Sequence, residues 1–469
     1  MSRRIAVVGA GISGLAAALA LRDADPDTDV VVYESTDRLG GRIATSAFAG
    51  VADVDEGADA FLARVPEATA LADRVGLGGD LVSPEPVGAA VWRDGLHPIP
   101  DGLLLGVPGR LRPLATTKLL TWRGKARAAL EPLLPRTSTE ADSIGAFVRA
   151  RFGDEVHEYL VDSLVGSIYA TDTDRFSLAE VPQLAALAAG NRSLLLAARR
   201  QRAAQGTATA ATSPIFAAPR GGMAALIEAT AAAFTAAGGT LRMATSIEAV
   251  VATDDGRWRL VTGDDHDPDV FDAIVFATPA TVTGSILAET APAASALLRD
   301  AETADVIMVT LHVAAAQWPD RLRGLSGYLV PKPVQRDVTA ASFASQKWGH
   351  WRPPAGGEIL RVSLGRDGAD VMHLTDDEAL AAVLADLEHH LGVRFDPIET
   401  RITRWPGAFA QYRPHHPDWV VAVDRALPDG LFVTGAGFRG IGIPACVRSG
   451  TMIARRAGTH FEDLEESTP

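Results

Sequence analysis

Three glycines at a fixed spacing, set between a strand and a helix, constrain this chain more than any other feature of it. Residues 4–9, Arg-Ile-Ala-Val-Val-Gly, form a short β-branched run that predicts a strand buried on both faces. Residues 14–22 are rich in Ala and Leu and predict a helix, and Asp29–Tyr33 predicts the next strand. Strand, helix and strand in that order make a βαβ unit. Its first junction reads Gly9, Ala10, Gly11, Ile12, Ser13, Gly14. Gly9 permits a tight turn, Gly11 lets the backbone approach a pyrophosphate, and Gly14 lets helix and strand pack closely. Phosphates then meet the helix N-terminus, where free N–H groups and the dipole favour negative charge. Glu34 ends the second strand at the spacing expected of a carboxylate that accepts from ribose hydroxyls. Strand, helix, spacing and acid agree, and the chain is predicted to bind a dinucleotide.

The bulk numbers narrow what else it does. At 469 residues the chain is too long for one core and predicts two or three folding units. Its 44 basic against 58 acidic residues give a net charge of −14, which disfavours nucleic acid as a partner and broad adsorption to anionic membranes. Cys446 is the only cysteine, so neither an internal disulfide nor a thiolate metal cluster can form, which suits a reducing compartment. The histidines, including the His389-His390 and His415-His416 pairs, lack metal-ligand spacing; no metal is expected, and solvated surface is their expected place. The N-terminus runs into a strand without a signal-peptide core, and no apolar run reaches the roughly 20 residues that span a bilayer. A cytoplasmic protein with no integral membrane segment is expected.

Texture changes along the chain. From about 103 to 202 the pattern is helical, with Lys118–Leu134, Ser143–Val165 and Leu184–Arg202 as predicted helices. Residues 203–213 are small and polar and predict a mobile connection. An Ala-rich helix follows at 223–237, closed by Gly238-Gly239, and strands return near 240–250, 257–262 and 270–277. Strands Val306–Val313 and Ile359–Leu364, the helix Asp376–Leu391, a last strand Leu431–Thr434 and a closing helix complete the series, with a frayed acidic tail after 458.

The glycine motif alone does not separate NAD from FAD, but the residues after it do. Arg38-Leu-Gly-Gly-Arg42 directly follows the ribose position, and Asp55-Glu56-Gly57-Ala58-Asp59-Ala60-Phe61 comes soon after. An arginine held by a double-glycine turn can reach a pyrophosphate from the side opposite the helix. Near the end, Phe432-Val-Thr-Gly435-Ala-Gly437-Phe-Arg-Gly440-Ile441-Gly442-Ile443 sets glycines between a strand and a helix. Together these pieces resemble the amine-oxidase and protoporphyrinogen-oxidase superfamily of FAD proteins. Within it the chain resembles the protoporphyrinogen and coproporphyrinogen III oxidases most. The segments that carry this are Val165-Gly-Ser-Ile-Tyr169-Ala-Thr-Asp172, Ser177-Leu-Ala-Glu-Val-Pro182, Pro219-Arg-Gly-Gly-Met223, Ser342-Phe-Ala-Ser-Gln-Lys-Trp348 and Trp405-Pro-Gly-Ala-Phe-Ala-Gln411-Tyr412. Their order and spacing hold from Arg4 to about Arg456. Departures occur at Gly166-Ser167, at Thr171, at Ala410, and at Gly88-Ala-Ala, where some relatives carry a propionate-binding arginine.

The resemblance implies an α/β protein: a Rossmann-type FAD-binding domain, a mixed α+β substrate domain and an α-helical insertion. The FAD domain would come from 1–85, 214–284 and 401–458, the substrate domain from 86–102 and 285–400, the insertion from 103–205, and a flexible tail from 459–469. The implied FAD contacts are Gly9 through Gly14, Glu34, Ser35, Arg42, Gly57 through Ala60, Ile247, Trp405, Ile441, Gly442 and Ile443. Ile247, beside the adenine, would lie in the strand after the Ala-rich helix. The implied activity is dehydrogenation of a reduced tetrapyrrole, with dioxygen as acceptor and peroxide as by-product; no catalytic side chain is identified. Coproporphyrinogen III is the first expectation and protoporphyrinogen IX the second. An amine-oxidase-like flavoenzyme and a catalytically silent porphyrin-binding flavoprotein are the rivals. Independently of any family, Arg110, Arg112, Lys118, Arg123, Lys125 and Arg127 concentrate positive charge, with Arg192, Arg199, Arg200 and Arg202 nearby. Three readings stay open for this patch. It is a surface for propionates or a haem-pathway enzyme, a shallow membrane-contact face with Leu103-Leu-Leu-Gly-Val, or a solvated helix face.

Overall fold

A computed structural model describes residues 3–204, 214–263 and 265–466. Its organising element is a five-stranded parallel sheet built from β1 (Arg4–Val8), β2 (Asp29–Tyr33), β3 (Thr240–Arg242), β4 (Ala273–Phe276) and β5 (Leu431–Val433). The strand order is β3-β2-β1-β4-β5, with Val7 opposite Val32 on one side and Val275 on the other. Burial on both faces explains the nearly continuous β-branched runs. Helix α1 (Ile12–Ala24) packs on one face with α2 (Met223–Ala236) and α3 (Ile443–Glu466). On the other face lie the helices Ala280–Ile286 and Pro292–Arg299, through Ile286, Ala294 and Leu298. Those two helices therefore belong with the parallel sheet, and the boundary expected at 284 moves to the strand Thr303–Val313.

A second, seven-stranded sheet, termed the substrate-side sheet, lies where the substrate domain is expected. Its order is Glu399–Ala410, Thr303–Val313, Glu358–Leu364, Val338–Phe343, Leu325–Leu329, Gly88–Trp92, Leu96–Pro98. The boundary expected at 400 likewise moves, because the whole of Glu399–Ala410 pairs with Thr303–Val313. Helix Asp376–Leu391 covers this sheet with Ala379, Val383 and Leu387, and starts where the sequence places it, behind a capping box made by Thr375 and Glu378.

The helical insertion is more broken than its periodicity predicts. Gly153, at φ +87°, ends one helix at Phe152, and an Asp154–Tyr169 run with a wide π-type turn over His157–Gly166 follows. The expected helix over 184–202 is two helices, Pro182–Gly190 and Leu194–Ala204. A buried pair explains that break: Arg151 binds Glu131, whose carboxylate accepts from Ser193 Oγ at 2.6 Å and from the Leu194 N–H at 2.8 Å. That charge needs donors, and a second helix N-terminus supplies them. The connection expected at 203–213 lies outside the described residues apart from its first two. The closing helix runs to Glu466, past Gly458 where a frayed tail is expected, because no proline intervenes and Asp, Glu and Leu tolerate helix.

Four histidines expected at the surface, His157, His312, His390 and His416, are buried. His390 packs against Trp92 with ring centroids 4.5 Å apart and its Nδ1 lies 3.1 Å from the Tyr328 hydroxyl. Burial pushes its pKa down from 6.5 to about 4, with Asp386 opposing and His389 and Arg336 assisting. Between these values the unfolded chain binds the proton more readily, so the stability His390 contributes is complete above about pH 6.5 and is lost as pH falls toward 4. His390→Gln removes that titration. Urea unfolding at pH 7.5 and pH 5 is expected to show wild type losing about 2 kcal/mol more than the variant on acidification.

Candidate functional site

β1 has neighbours reached by connections of opposite direction, so their C-terminal ends part and leave a crevice at the switch point. There Val8, Tyr33 and Ala277 open onto a cavity of about 520 Å³. The first glycine turn lines it with Gly9, Gly11, Ile12 and Ser13, and the end of β2 adds Glu34 and Ser35. Arg42, Gly57 and Ala58 close one wall, Ile247 one end, and Trp405, Ile441 and Ile443 the other walls.

Local geometry explains each placement. Gly9 has φ +104°, and a Cβ on Gly14 would stand 2.0 Å from the Gly9 carbonyl oxygen, so α1 can approach β1 only because position 14 lacks one. A Cβ on Gly11 would meet no atom within 4 Å, since that face opens into the cavity. No side chain caps α1, which leaves its first N–H groups to a ligand. Glu34 is held by the Ala10 N–H at 3.0 Å on one oxygen and by the Thr36 N–H at 3.0 Å and hydroxyl at 2.9 Å on the other. Arg38 knits the double-glycine turn through the carbonyls of Leu39, Gly41 and Ile43, which frees Arg42 to face the cavity. Arg42 Nη1 donates to the Ala408 carbonyl at 2.8 Å, and burial pushes its guanidinium below its ordinary pKa. A desolvated cation in that state favours an anionic ligand. Trp405 Nε1 donates to the Glu56 carbonyl at 3.1 Å, fixing the ring against Gly57.

Five of the expected contacts stand off the cavity. Ala10 is fully buried and acts through its N–H on Glu34. Gly14 serves packing, Ala60 packs against the core beneath the parallel sheet, and Gly442 lies just outside the wall. Asp59 turns away to Lys347 Nζ at 2.7 Å and Arg361 at 3.4 Å. Burial would raise its carboxyl, but these two cations override that and hold it at about 2. Its place is a joint between the Gly57–Ala60 turn and the substrate-side sheet. Ile247 lines the cavity from the connection after β3 rather than from a strand.

Sequence reasoning missed Thr245, Ser246, Ala277, Thr278 and Pro279, and the apolar wall of Val306, Met308, Ala408 and Phe409. Ala277-Thr278-Pro279 had a signal, since it follows a buried β-branched strand and such strand ends line nucleotide crevices. Val306 and Met308 had none, because only the second sheet's position brings them here. Cys446 also lines the cavity, its thiol pushed up to about 11 by burial and therefore neutral. Among the described residues, no basic residue of 110–127 or 192–200 lines it. Arg127 binds the carbonyls of Ala150 and Arg151, and Leu103 to Leu105 pack against the insertion's own core. Trp122 is 74% and Leu133 73% exposed, and the Arg123 guanidinium lies 5.3 Å from the Trp122 ring.

The cavity fits a flavin dinucleotide. Its lining brings together the Glu34 carboxylate, unclaimed helix N–H groups, the half-buried Arg42 and an apolar set of Trp405, Val306, Met308 and Phe409. Comparison with known proteins agrees. Residues 12–457 match the family described as flavin containing amine oxidoreductase. The coproporphyrinogen III oxidase of Staphylococcus aureus is 29% identical over 97% of this chain and 98% of its own. That of Mycobacterium leprae is 33% identical over 95% and 96% respectively. A crystal structure from Exiguobacterium sp. 255-15, described provisionally as a protoporphyrinogen oxidase, superposes with a TM-score of 0.84 at 29% identity, covering 98% of this chain and 99% of that one.

The two glycines predict separable losses. Gly14→Ala is expected to cost about 3 kcal/mol of stability through its clash with the Gly9 carbonyl. Gly11→Ala is expected to leave the melting temperature of the flavin-free protein unchanged while weakening flavin binding at least about tenfold, a loss of about 1.4 kcal/mol. Thermal unfolding and flavin titration of both variants check this.

Proposed function

The chain belongs to the flavin-containing amine oxidoreductase family, and from that premise we propose that it oxidises coproporphyrinogen III to coproporphyrin III in haem biosynthesis. It is an FAD-dependent oxidoreductase. The observation that carries the substrate reading is the end-to-end likeness to coproporphyrinogen III oxidases, at 33% identity over 95% of the chain for one of them. When bound, FAD would supply the two-electron acceptor that dehydrogenation of the macrocycle needs, with dioxygen as the proposed final acceptor.

In this reading the protein's own residues bind, orient and exclude water. Gly9, Gly11, Ile12, Ser13 and Arg42 hold the diphosphate, Glu34 and Ser35 the ribose, and Ile247 the adenine face. Ile441, Ile443 and Trp405 hold the ring system. Val306, Met308 and Phe409 form a dry wall against which an apolar macrocycle lies. Among the described residues no carboxylate or imidazole lines the cavity beside that wall, and Cys446 stays a neutral thiol. This favours dehydrogenation driven by position and the cofactor over proton abstraction by a paired acid and base. Among the described residues no helix is long and apolar enough to cross a membrane. A cytoplasmic place completes the proposal, and so does a haem-pathway enzyme docking at the exposed Trp122 and Leu133 face. Protoporphyrinogen IX is the second reading, carried by the likeness to the Exiguobacterium structure.

Anaerobic mixing with each porphyrinogen, followed by admission of air, tests this. The yellow flavin absorbance is expected to bleach with coproporphyrinogen III, with porphyrin fluorescence rising once air enters. Bleaching by protoporphyrinogen IX alone would favour the second reading. A flavin that dithionite reduces but neither porphyrinogen bleaches would remove both.

A further inference from the structure

The segment Gln411 to His416 crosses from the end of the substrate-side strand Glu399–Ala410 to the helix His416–Ala426, behind the last glycine turn. That turn presents Gly435, Ala436, Gly437 and Ile441 to the flavin cavity. Two side chains of the segment grip it from the far side. The Tyr412 hydroxyl donates to the Ala436 carbonyl at 2.6 Å and accepts from the Gly440 N–H at 2.9 Å. His416 Nε2 lies 3.0 Å from the Phe438 carbonyl oxygen, so the ring donates there. The two rings stack with centroids 4.0 Å apart, both buried. Phe176 of the helical insertion stacks on the other face of Tyr412 at 5.6 Å, and the Tyr412 carbonyl accepts from the Ser177 N–H at 2.7 Å. Three backbone groups of one turn are thus satisfied by two side chains that themselves rest on a second domain and the insertion.

We propose that Tyr412 and His416 are positioning residues for the cofactor, holding the 436–440 turn in the shape that presents its backbone to the flavin. The reason is the cost of the alternative: without the Tyr412 hydroxyl, a carbonyl and an N–H in a half-buried turn lose their partner together, and the turn relaxes to find others. This inference rests on flavin binding alone and is independent of which porphyrinogen is oxidised.

The test uses the holoenzyme and reads flavin release by its fluorescence, beside thermal unfolding. Tyr412→Phe keeps the ring stack and is expected to release flavin at least about tenfold faster than wild type. Tyr328→Phe removes another buried hydroxyl, bonded to His390 in the other domain, and is expected to stay within about twofold. Release from Tyr412→Phe within about twofold of wild type, or equal acceleration in both variants, overturns the proposal. Should Tyr412→Phe not accumulate folded, His416→Leu and His416→Gln carry the test. Faster release from the leucine variant, with recovery by glutamine as donor, supports the clamp; equal release from both overturns it.

Discussion

The parallel pairing of Arg4–Val8 between Asp29–Tyr33 and Ala273–Phe276 is the constraint on which the rest depends. Because the chain leaves β1 toward one neighbour and returns to its other side only much later, no connection covers the strand ends between them. The opening is therefore a consequence of strand order, and the glycines of the first turn make it deep enough for backbone to meet phosphate. Everything else is arranged around that opening: the Glu34 acid, the half-buried Arg42 and an apolar slot.

That slot is made by a different part of the chain, so the two sheets must be held in register. Charge does this at one joint. Asp59 sits between Lys347 and Arg361, and Arg401 reaches back to the hydroxyl of Ser46 at 2.7 Å and the carbonyl of Val54 at 3.2 Å. Asp59 keeps a second cation if either partner is lost, so the two together hold this partly buried carboxylate charged. At the other joint the connection is aromatic, running from Tyr169 through Phe176, Tyr412 and His416 to Trp419 and Phe438. The helical insertion, the substrate-side sheet and the last flavin turn meet there.

What the sequence made legible is what its neighbours decide. The strand ending at Val8, the turn, α1 and Glu34 follow from local pattern and spacing, and so does the helix Asp376–Leu391. Legibility fails where a distant group decides. Asp59 reads as a cofactor contact until Lys347 and Arg361 are placed beside it. Leu184–Arg202 reads as one helix until Glu131 demands the donors of a second helix start. His390 and His416 read as surface until Trp92 and Tyr412 stack on them. The wall of Val306 and Met308 carries no local mark at all, because it becomes a wall only when the second sheet docks.

The central claim is that this crevice holds one flavin dinucleotide by shape and charge. Heat denaturation of the purified yellow protein, with chromatographic identification and quantitation of what it releases, tests that most directly. Free FAD is expected, in a ratio approaching one per chain. Recovery of FMN or NAD instead, or a folded protein that neither contains FAD nor takes it up, would contradict the account.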